Sequence, residues 1–156
     1  MVRVKTYTDS LNPIDTKMKG LLAAPGTIAG MDFAGEVMAV GPHTATPGFV
    51  LVGDRVRGAV NDYFKPEPTV GAFAEVVGAE YVGLMRLPAD WSYEQGATLE
   101  CAVSTIGLVL FRSLIVPGTL DSPTDKLVDD LVYGGSNATG TTAIQLLKLY
   151  VPIDPL

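Results

Sequence analysis

The chain has 156 residues, with 17 acidic against 11 basic side chains and a formal net charge of −6. This length allows one compact domain, or one domain plus part of another. The acidic balance, without any run of lysine or arginine, argues against nucleic acid or an anionic membrane surface as a partner. A single cysteine, Cys101, excludes an intramolecular disulfide and favours a reducing, cytoplasmic setting.

The first ninety residues predict short strands separated by glycine and proline turns. The predicted strands cover residues 2–7, 30–41, 56–60, 72–77 and 81–87, with a helical turn at 14–19 and a loop at 61–69. Many short strands in succession favour a small antiparallel barrel.

A helical pattern follows Pro88. Ser92 is a good helix N-cap, because its hydroxyl can accept a hydrogen bond from the first turn. Residues 93–114 predict two helices with a bend near Cys101, and residues 116–123 predict a linker.

The last part of the chain predicts a strand, a glycine-rich turn and a helix in succession. The strand covers Leu127–Tyr133 and the helix covers Ala138–Tyr150. The glycines between them allow the backbone to approach an anion closely, and the helix N-terminus presents free N–H groups to it. The spacing of Gly135 and Gly140 differs from the strict G-x-G-x-x-G pattern, so a phosphate site and a tight structural turn are both open.

Two adjacent aspartates, Asp129 and Asp130, lie in the first half of this predicted strand. Their side chains would point to opposite faces, which suits a strand end, an edge or a loop better than the centre of a sheet. A shorter strand at residues 131–133 is therefore the alternative. So small a sheet leaves the apolar faces of residues 106–115 and 143–149 uncovered, which predicts a homodimer.

The motifs also carry a resemblance to a known family. Four segments of the first half occur in the order typical of medium-chain dehydrogenases and reductases: NPIDTK at 12–17, GMDFAGEV at 30–37, GDRV at 53–56 and GAFAE at 71–75. Together with TIGLVLF at 105–111 and VYGGSNATGT at 132–141, they resemble fungal trans-acting enoyl reductases, the partners of highly reducing polyketide synthases.

The resemblance implies a mixed α+β fold, with a GroES-like β-barrel at residues 1–90. Residues 91–156 would hold helices and a strand-turn-helix remnant of a Rossmann domain. It also implies NADPH as hydride donor and a polyketide enoyl thioester as the small-molecule substrate.

The resemblance further implies which residues form the site. Lys17 matches a lysine near the cofactor and the reacting end of the substrate, and Thr105 matches a position beside the nicotinamide. The cofactor-binding residues would be those of the glycine turn: Gly134, Gly135, Ser136, Ala138, Thr139 and Gly140.

Alternatives stay open because the chain looks truncated at both ends relative to that family. It ends at Leu156, 16 residues after Gly140, whereas the residue that reads the adenosine ribose lies roughly 20 residues after the turn. The cofactor is then NADPH or none. Without a cofactor, the chain could be a cyclase or isomerase of a polyene polyketide, with Asp32, Glu100 or Lys17 as the acid. It could also be a non-catalytic docking partner of a polyketide synthase.

The residue types argue against a metal site. Zinc needs several cysteine, histidine or carboxylate ligands, and this chain has one cysteine and one histidine, His43. Met31 and Asp32 stand where zinc-dependent relatives carry a His-Glu pair. We therefore expect no metal.

Overall fold

The computed structural model describes residues 1–18, 25–42, 49–60, 69–119, 121–125 and 129–150. The chain folds into two compact units, Met1–Cys101 (unit 1) and Ala102–Leu156 (unit 2). His43 and most of the predicted loop at 61–69 lie outside the described residues. The domain boundary predicted after residue 90 stays a prediction.

Unit 1 is built on an antiparallel sheet. Its strands are β1 (Val2–Ser10), β2 (Asp32–Val40), β3 (Arg55–Ala59), β4 (Val76–Ala79) and β5 (Leu84–Arg86), in the spatial order β4-β1-β2-β3-β5. Every pairing between neighbours is antiparallel. The three strands predicted first in the chain are confirmed.

The strand predicted at residues 72–77 is wrong in its first half. Ala72 and Phe73 donate backbone hydrogen bonds to Gly30 and Ala29, at 2.8 and 2.9 Å. This stretch therefore bonds to the loop before β2 rather than to β1, and the ladder with β1 begins only at Val76.

The strand predicted at residues 81–87 is likewise too long. Residues Tyr81–Gly83 form a 3₁₀ turn, in which the Gly83 N–H donates to the Glu80 carbonyl. Only Leu84–Arg86 pair with β3. The Gly83 N–H already donates within the turn, so it cannot also donate to a neighbouring strand.

One face of the sheet carries the apolar core of unit 1. In β1 the alternate residues Val2 and Val4 are buried, as the period-2 geometry of a strand requires. Val4 lies opposite Val37 of β2 and opposite Val77 of β4, so cross-strand valines meet in the core. Phe33, also of β2, is the largest fully buried side chain.

Three α-helices begin in the described part of unit 1. They are α1 (Pro13–Lys17), α2 (Tyr93–Ala97) and α3 (Glu100–Gly107), which continues as a π-helical segment at Leu108–Ser113. The bend predicted near Cys101 falls at residues 98–99.

Helix α2 is capped by Ser92, and two contacts of Tyr93 hold it at the sheet. Ser92 is the predicted N-cap, because its Oγ accepts a hydrogen bond from the Gln95 N–H at 3.2 Å. Tyr93 stacks on Tyr7 of β1 with ring centroids 4.8 Å apart. The Arg55 guanidinium lies 4.6 Å from the Tyr93 ring centroid, so α2 is attached to both β1 and β3.

Unit 2 holds helix α4 (Ala138–Tyr150), with the predicted bounds. Its small core contains Ile106, Leu110, Val116 and Ala143. Among the described residues of both units, no helix is long and apolar enough to cross a membrane.

The strand predicted at Leu127–Tyr133 is wrong over the residues that the structure describes, 129–133. Val132 packs against the core of unit 2, whereas Leu131 and Tyr133 are 94% and 96% exposed. A strand needs a second strand to which it can hydrogen-bond, and the described residues of unit 2 contain no other strand. Asp129 and Asp130 are exposed, as their adjacent charges predict.

Candidate functional site

Lys17 lies on an exposed turn at the edge of unit 1. Helix α1 starts after Asn12, since Pro13 fixes a backbone angle suited to the first helical position. The Asp15 carboxylate accepts a hydrogen bond from the Asn12 N–H at 2.6 Å, which closes the first turn. Lys17 is the last residue of the helix and is exposed. Its ammonium group is therefore available to a ligand.

Asp32 lies next to this helix but is buried. It is the first residue of β2 and is 1% exposed. Its Oδ2 accepts a hydrogen bond from Asn12 Nδ2 at 3.0 Å. The structure thus joins Asp32 to the segment that leads into α1 and Lys17.

Burial dominates the charge state of Asp32. Desolvation raises the pKa of its carboxyl to about 6, and the negative charges of Glu100 and Asp15 act in the same direction. Hydrogen bonds from Asn12 and from the Cys101 backbone lower that pKa again, but by less.

Glu100 is the second buried acid beside Asp32, and it is paired. It begins α3, is 5% exposed, and forms an ion pair with Arg57 of β3. Burial raises the pKa of the Glu100 carboxyl, although the Arg57 guanidinium acts to lower it. The Arg57 guanidinium also contacts Met85 Sδ at 3.0 Å. Glu100 thus fixes the start of α3 to the sheet.

Thr105 and Cys101 share helix α3. Thr105 is exposed, so its hydroxyl is available to a ligand. Cys101 is half-buried. Lys17 and Asp32 thus belong to unit 1, whereas Thr105 and the glycine turn belong to unit 2.

The predicted glycine turn forms a tight cap on helix α4. Gly134 has φ +80°, a backbone conformation that only glycine adopts without strain. At Gly140 an added Cβ would stand 2.3 Å from the Gly134 carbonyl oxygen, so a larger residue would push the turn open. Both glycines are therefore required by the shape of the turn itself.

Asn137 caps this helix. Its Oδ1 accepts hydrogen bonds from the Gly140 N–H and from Thr139 Oγ1, both at 2.8 Å. Ser136, Ala138 and Thr139 are exposed around the cap. As in any α-helix, the first N–H groups have no intrahelical acceptor. The turn can therefore accept an anion at an exposed helix N-terminus.

Sequence reasoning missed three residues of these arrangements. Asn12 appeared only as part of the motif at 12–17, and Arg57 was not singled out. A signal for Arg57 is its place on a strand whose alternate residues, Val56 and Gly58, face the core. Asn137 is a common capping residue directly before a helical pattern, which is a usable signal.

Within the described parts of both units, no group of three or more histidine, cysteine or acidic side chains is placed to hold a metal ion. Asp15, Asp32 and Glu100 therefore do not form such a group.

A family comparison fits this fold. The alcohol dehydrogenase GroES-like domain family matches residues 1–89, more than half of the chain. The chain belongs to this family. The predicted mixed fold with a GroES-like domain, and the resemblance to medium-chain dehydrogenases and reductases, are thereby confirmed.

Individual relatives agree with this assignment. The trans-enoyl reductase FSL5 of Gibberella zeae is 50% identical over 149 residues, covering 96% of this chain and 42% of that protein. The chain thus spans less than half the length of the curated relatives it matches.

Solved structures share the fold. An alcohol dehydrogenase superfamily protein of Novosphingobium aromaticivorans matches with a TM-score of 0.70 and 25% identity, over 96% of this chain and 43% of that one. The Escherichia coli quinone oxidoreductase, crystallised with NADPH, matches with a TM-score of 0.61 and 22% identity, over 96% of this chain and 42% of that one.

Proposed function

We propose that this chain carries the activity of a trans-acting enoyl reductase, the reduction of an α,β-unsaturated polyketide thioester. The observation that carries the proposal is the 50% identity to a trans-enoyl reductase over 96% of the chain. It is supported by an exposed lysine on α1 in unit 1 and by the exposed residues 136–139 of the glycine turn in unit 2. Because the chain spans less than half of that relative, the activity of this chain has to be measured directly.

The glycine turn fits the phosphate part of a dinucleotide. Gly134 and Gly140 keep side chains away from the turn, and the N–H groups at the start of α4 would bind the negative charge. Ser136 is exposed beside it and could add a hydroxyl donor, and Thr139 is exposed there with its hydroxyl donated to Asn137 Oδ1. NADPH, when bound, supplies the hydride that saturates the double bond of the thioester.

Lys17 and Thr105 are the residues that we expect to contact the reacting groups. The Lys17 ammonium would donate a hydrogen bond to the thioester oxygen, where negative charge develops as the double bond is reduced. The Thr105 hydroxyl would position the nicotinamide. Asp32 was predicted as a catalytic acid, and its burial favours a role through its neighbours instead.

Several finer points belong to this proposal. The substrate would be a small polyketide thioester, delivered by a polyketide synthase. A homodimer and a cytoplasmic setting stay predictions. A cofactor-independent cyclase or isomerase and a non-catalytic docking protein are not supported by the relatives, whose names describe reductases.

The test is the oxidation of NADPH by the purified chain in the presence of a medium-chain α,β-unsaturated acyl-N-acetylcysteamine thioester. We expect saturable, thioester-dependent loss of NADPH absorbance. Lys17→Met should lower kcat/KM by roughly 100-fold, the usual effect of removing one donor to a developing oxyanion. The control is Asp90→Asn, which changes one charge on an exposed loop of the same unit.

The outcomes separate the candidates. If Lys17→Met is as active as the unchanged chain, the lysine has no role in the mechanism, but the proposed reductase activity stands. Conversion of the thioester without NADPH would favour the isomerase alternative. No thioester-dependent oxidation at any cofactor concentration would contradict the proposed function of this chain.

A further inference from the structure

Asp32 connects two segments of unit 1 that are far apart in sequence. Its Oδ2 accepts the Asn12 side-chain hydrogen bond, and Asn12 is the residue at which α1 begins. The backbone of Cys101, in the first turn of α3, also donates a hydrogen bond to the Asp32 carboxylate. One buried carboxylate therefore holds the start of α1 and the start of α3.

The charges around Asp32 make this link sensitive to protonation. Asp15 faces it from α1 and Glu100 faces it from α3, and both are negative when ionised. Arg57 on β3 is engaged by Glu100. On β1, Ser10 lies opposite Asp32 in the ladder, and the neighbouring Asp9 is exposed.

Asp32 also has acceptor capacity that its neighbours do not use. Among the described residues, its Oδ1 is buried without a hydrogen-bond partner, and so is the Oδ1 of Asp15. An ionised carboxylate accepts hydrogen bonds only, whereas the protonated form turns one oxygen into a donor. Protonation would fall on the unpartnered Oδ1 and remove the negative charge, so the bonds that Asn12 and Cys101 donate to the carboxylate would become weaker, neutral ones.

We propose that Asp32 is a positioning residue, which holds the α1 turn that carries Lys17 through Asn12 and holds it more weakly when the carboxylate is protonated. Asp32 does not touch the substrate, because it is 1% exposed. Its role in catalysis rests on the proposed function of Lys17. The link between the charge of Asp32 and the position of α1 does not depend on that proposed function.

The test is a pH titration of the whole ¹⁵N-labelled chain by NMR, without substrate or cofactor. The resonances followed are the Asn12 side-chain amide and the backbone amides of Lys17 and Cys101. We expect the three to move together with one midpoint near pH 6, the value to which burial raises the Asp32 pKa. In Asp32→Asn all three should stay flat, and in the control Asp90→Asn they should titrate as in the unchanged chain.

Two results would overturn the proposal. One is an Asn12 amide that does not titrate in the unchanged chain. The other is a titration that persists in Asp32→Asn, since Glu100 or Asp15 would then be its source. If Asp32→Asn does not fold, the ¹³C-carboxyl resonance of Asp32 in the unchanged chain decides, because its midpoint must coincide with that of the Lys17 amide.

The activity measurement keeps the two proposals apart. Where the chain reduces the thioester, Asp32→Asn should remove a step near pH 6 from the kcat/KM profile, and Asp32→Glu should restore it in part. A chain with no activity but with the shared titration would retain Asp32 as a positioning residue and contradict only the reductase. An active chain whose Lys17 amide does not follow the titration of Asp32 would retain the reductase and contradict the positioning role of Asp32.

Discussion

Unit 1 and unit 2 cover their apolar side chains to very different extents. Of the described residues, eleven form the buried core of unit 1 and only four form that of unit 2. Unit 2 also leaves Ile115, Leu131 and Tyr133 at least three-quarters exposed. A sheet whose strands find partners can bury a whole face, whereas an extended segment without a partner cannot.

This difference locates the stability of the chain in unit 1. Burial of apolar area is the main stabilising contribution to folding, and the valines of β1, β2 and β4 supply it there. Unit 2 exposes several large apolar side chains, and exposed apolar side chains are a feature of protein–protein interfaces. That agrees with the homodimer expected from the sequence, which stays a prediction.

The largest effect should come from the core of unit 1. Phe33→Ala removes a fully buried ring and should lower the free energy of unfolding by about 3–5 kcal/mol. The matched change in unit 2, Leu131→Ala, alters a side chain that is 94% exposed and should cost less than about 0.5 kcal/mol. Chemical denaturation measures both, and equal losses would contradict the comparison.

The ion pair of unit 1 should come next. Arg57→Ala leaves the buried Glu100 carboxylate without its cation, which should cost about 3 kcal/mol. As a control, Arg86→Ala breaks an ion pair with Asp54 whose side chains are 55% and 26% exposed, and should cost at most about 1 kcal/mol. Thermal unfolding at neutral pH distinguishes the two, and a small loss in Arg57→Ala would mean that Glu100 is already protonated.

The pH dependence of unit 1 should follow from Asp32. Its folded pKa of about 6 lies above the usual aspartate value of 3.8, so the folded state binds the proton more tightly than the unfolded chain. As the pH rises from about 4 to about 6, the free energy of unfolding should therefore fall. The contribution of this group to the fall is at most about 3 kcal/mol. Asp32→Asn should lack that fall when denaturation is repeated across the range, and an unchanged pH dependence would show that another group causes it.

The smallest effect should appear in the glycine turn of unit 2. Gly140→Ala forces a Cβ against the Gly134 carbonyl oxygen and should cost about 1–3 kcal/mol. The control is Gly107→Ala, where a Cβ meets nothing within 4 Å and the helix should gain about 0.5–1 kcal/mol. Hydrogen exchange of the α4 amides reports on this unit alone, and equal exchange in the two variants would contradict the tight turn.

The sequence predicted the elements whose signals are local. Alternating valines placed β1, the Ser92 hydroxyl placed the start of α2, and the pattern from Ala138 to Tyr150 placed α4 with its bounds. The motif order also gave the family. The predictions of these three elements succeed because each element depends on neighbours within a few residues.

Predictions that needed a partner elsewhere in the chain failed. Residues 72–75 look like a strand, yet Ala72 and Phe73 bond to the loop before β2. Residues 127–133 look like a strand, with 131–133 as the shorter alternative, yet the described residues 129–133 form no strand and the described part of unit 2 offers no neighbour. The Asp32 site could be placed only in part, because its bond to Asn12 joins residues twenty apart. Tertiary contacts of this kind leave no periodic signal in a single sequence.

The central claim is that unit 2 carries a phosphate-binding cofactor turn while unit 1 carries the sheet that supports Lys17. A titration of the ¹⁵N-labelled chain with NADPH tests it most directly. The account predicts saturable shifts of the amides from Gly134 to Gly140, reduced in Gly140→Ala, with the β2 and β4 amides unmoved. Shifts confined to unit 1, or no shifts in the glycine turn at millimolar NADPH, would contradict it.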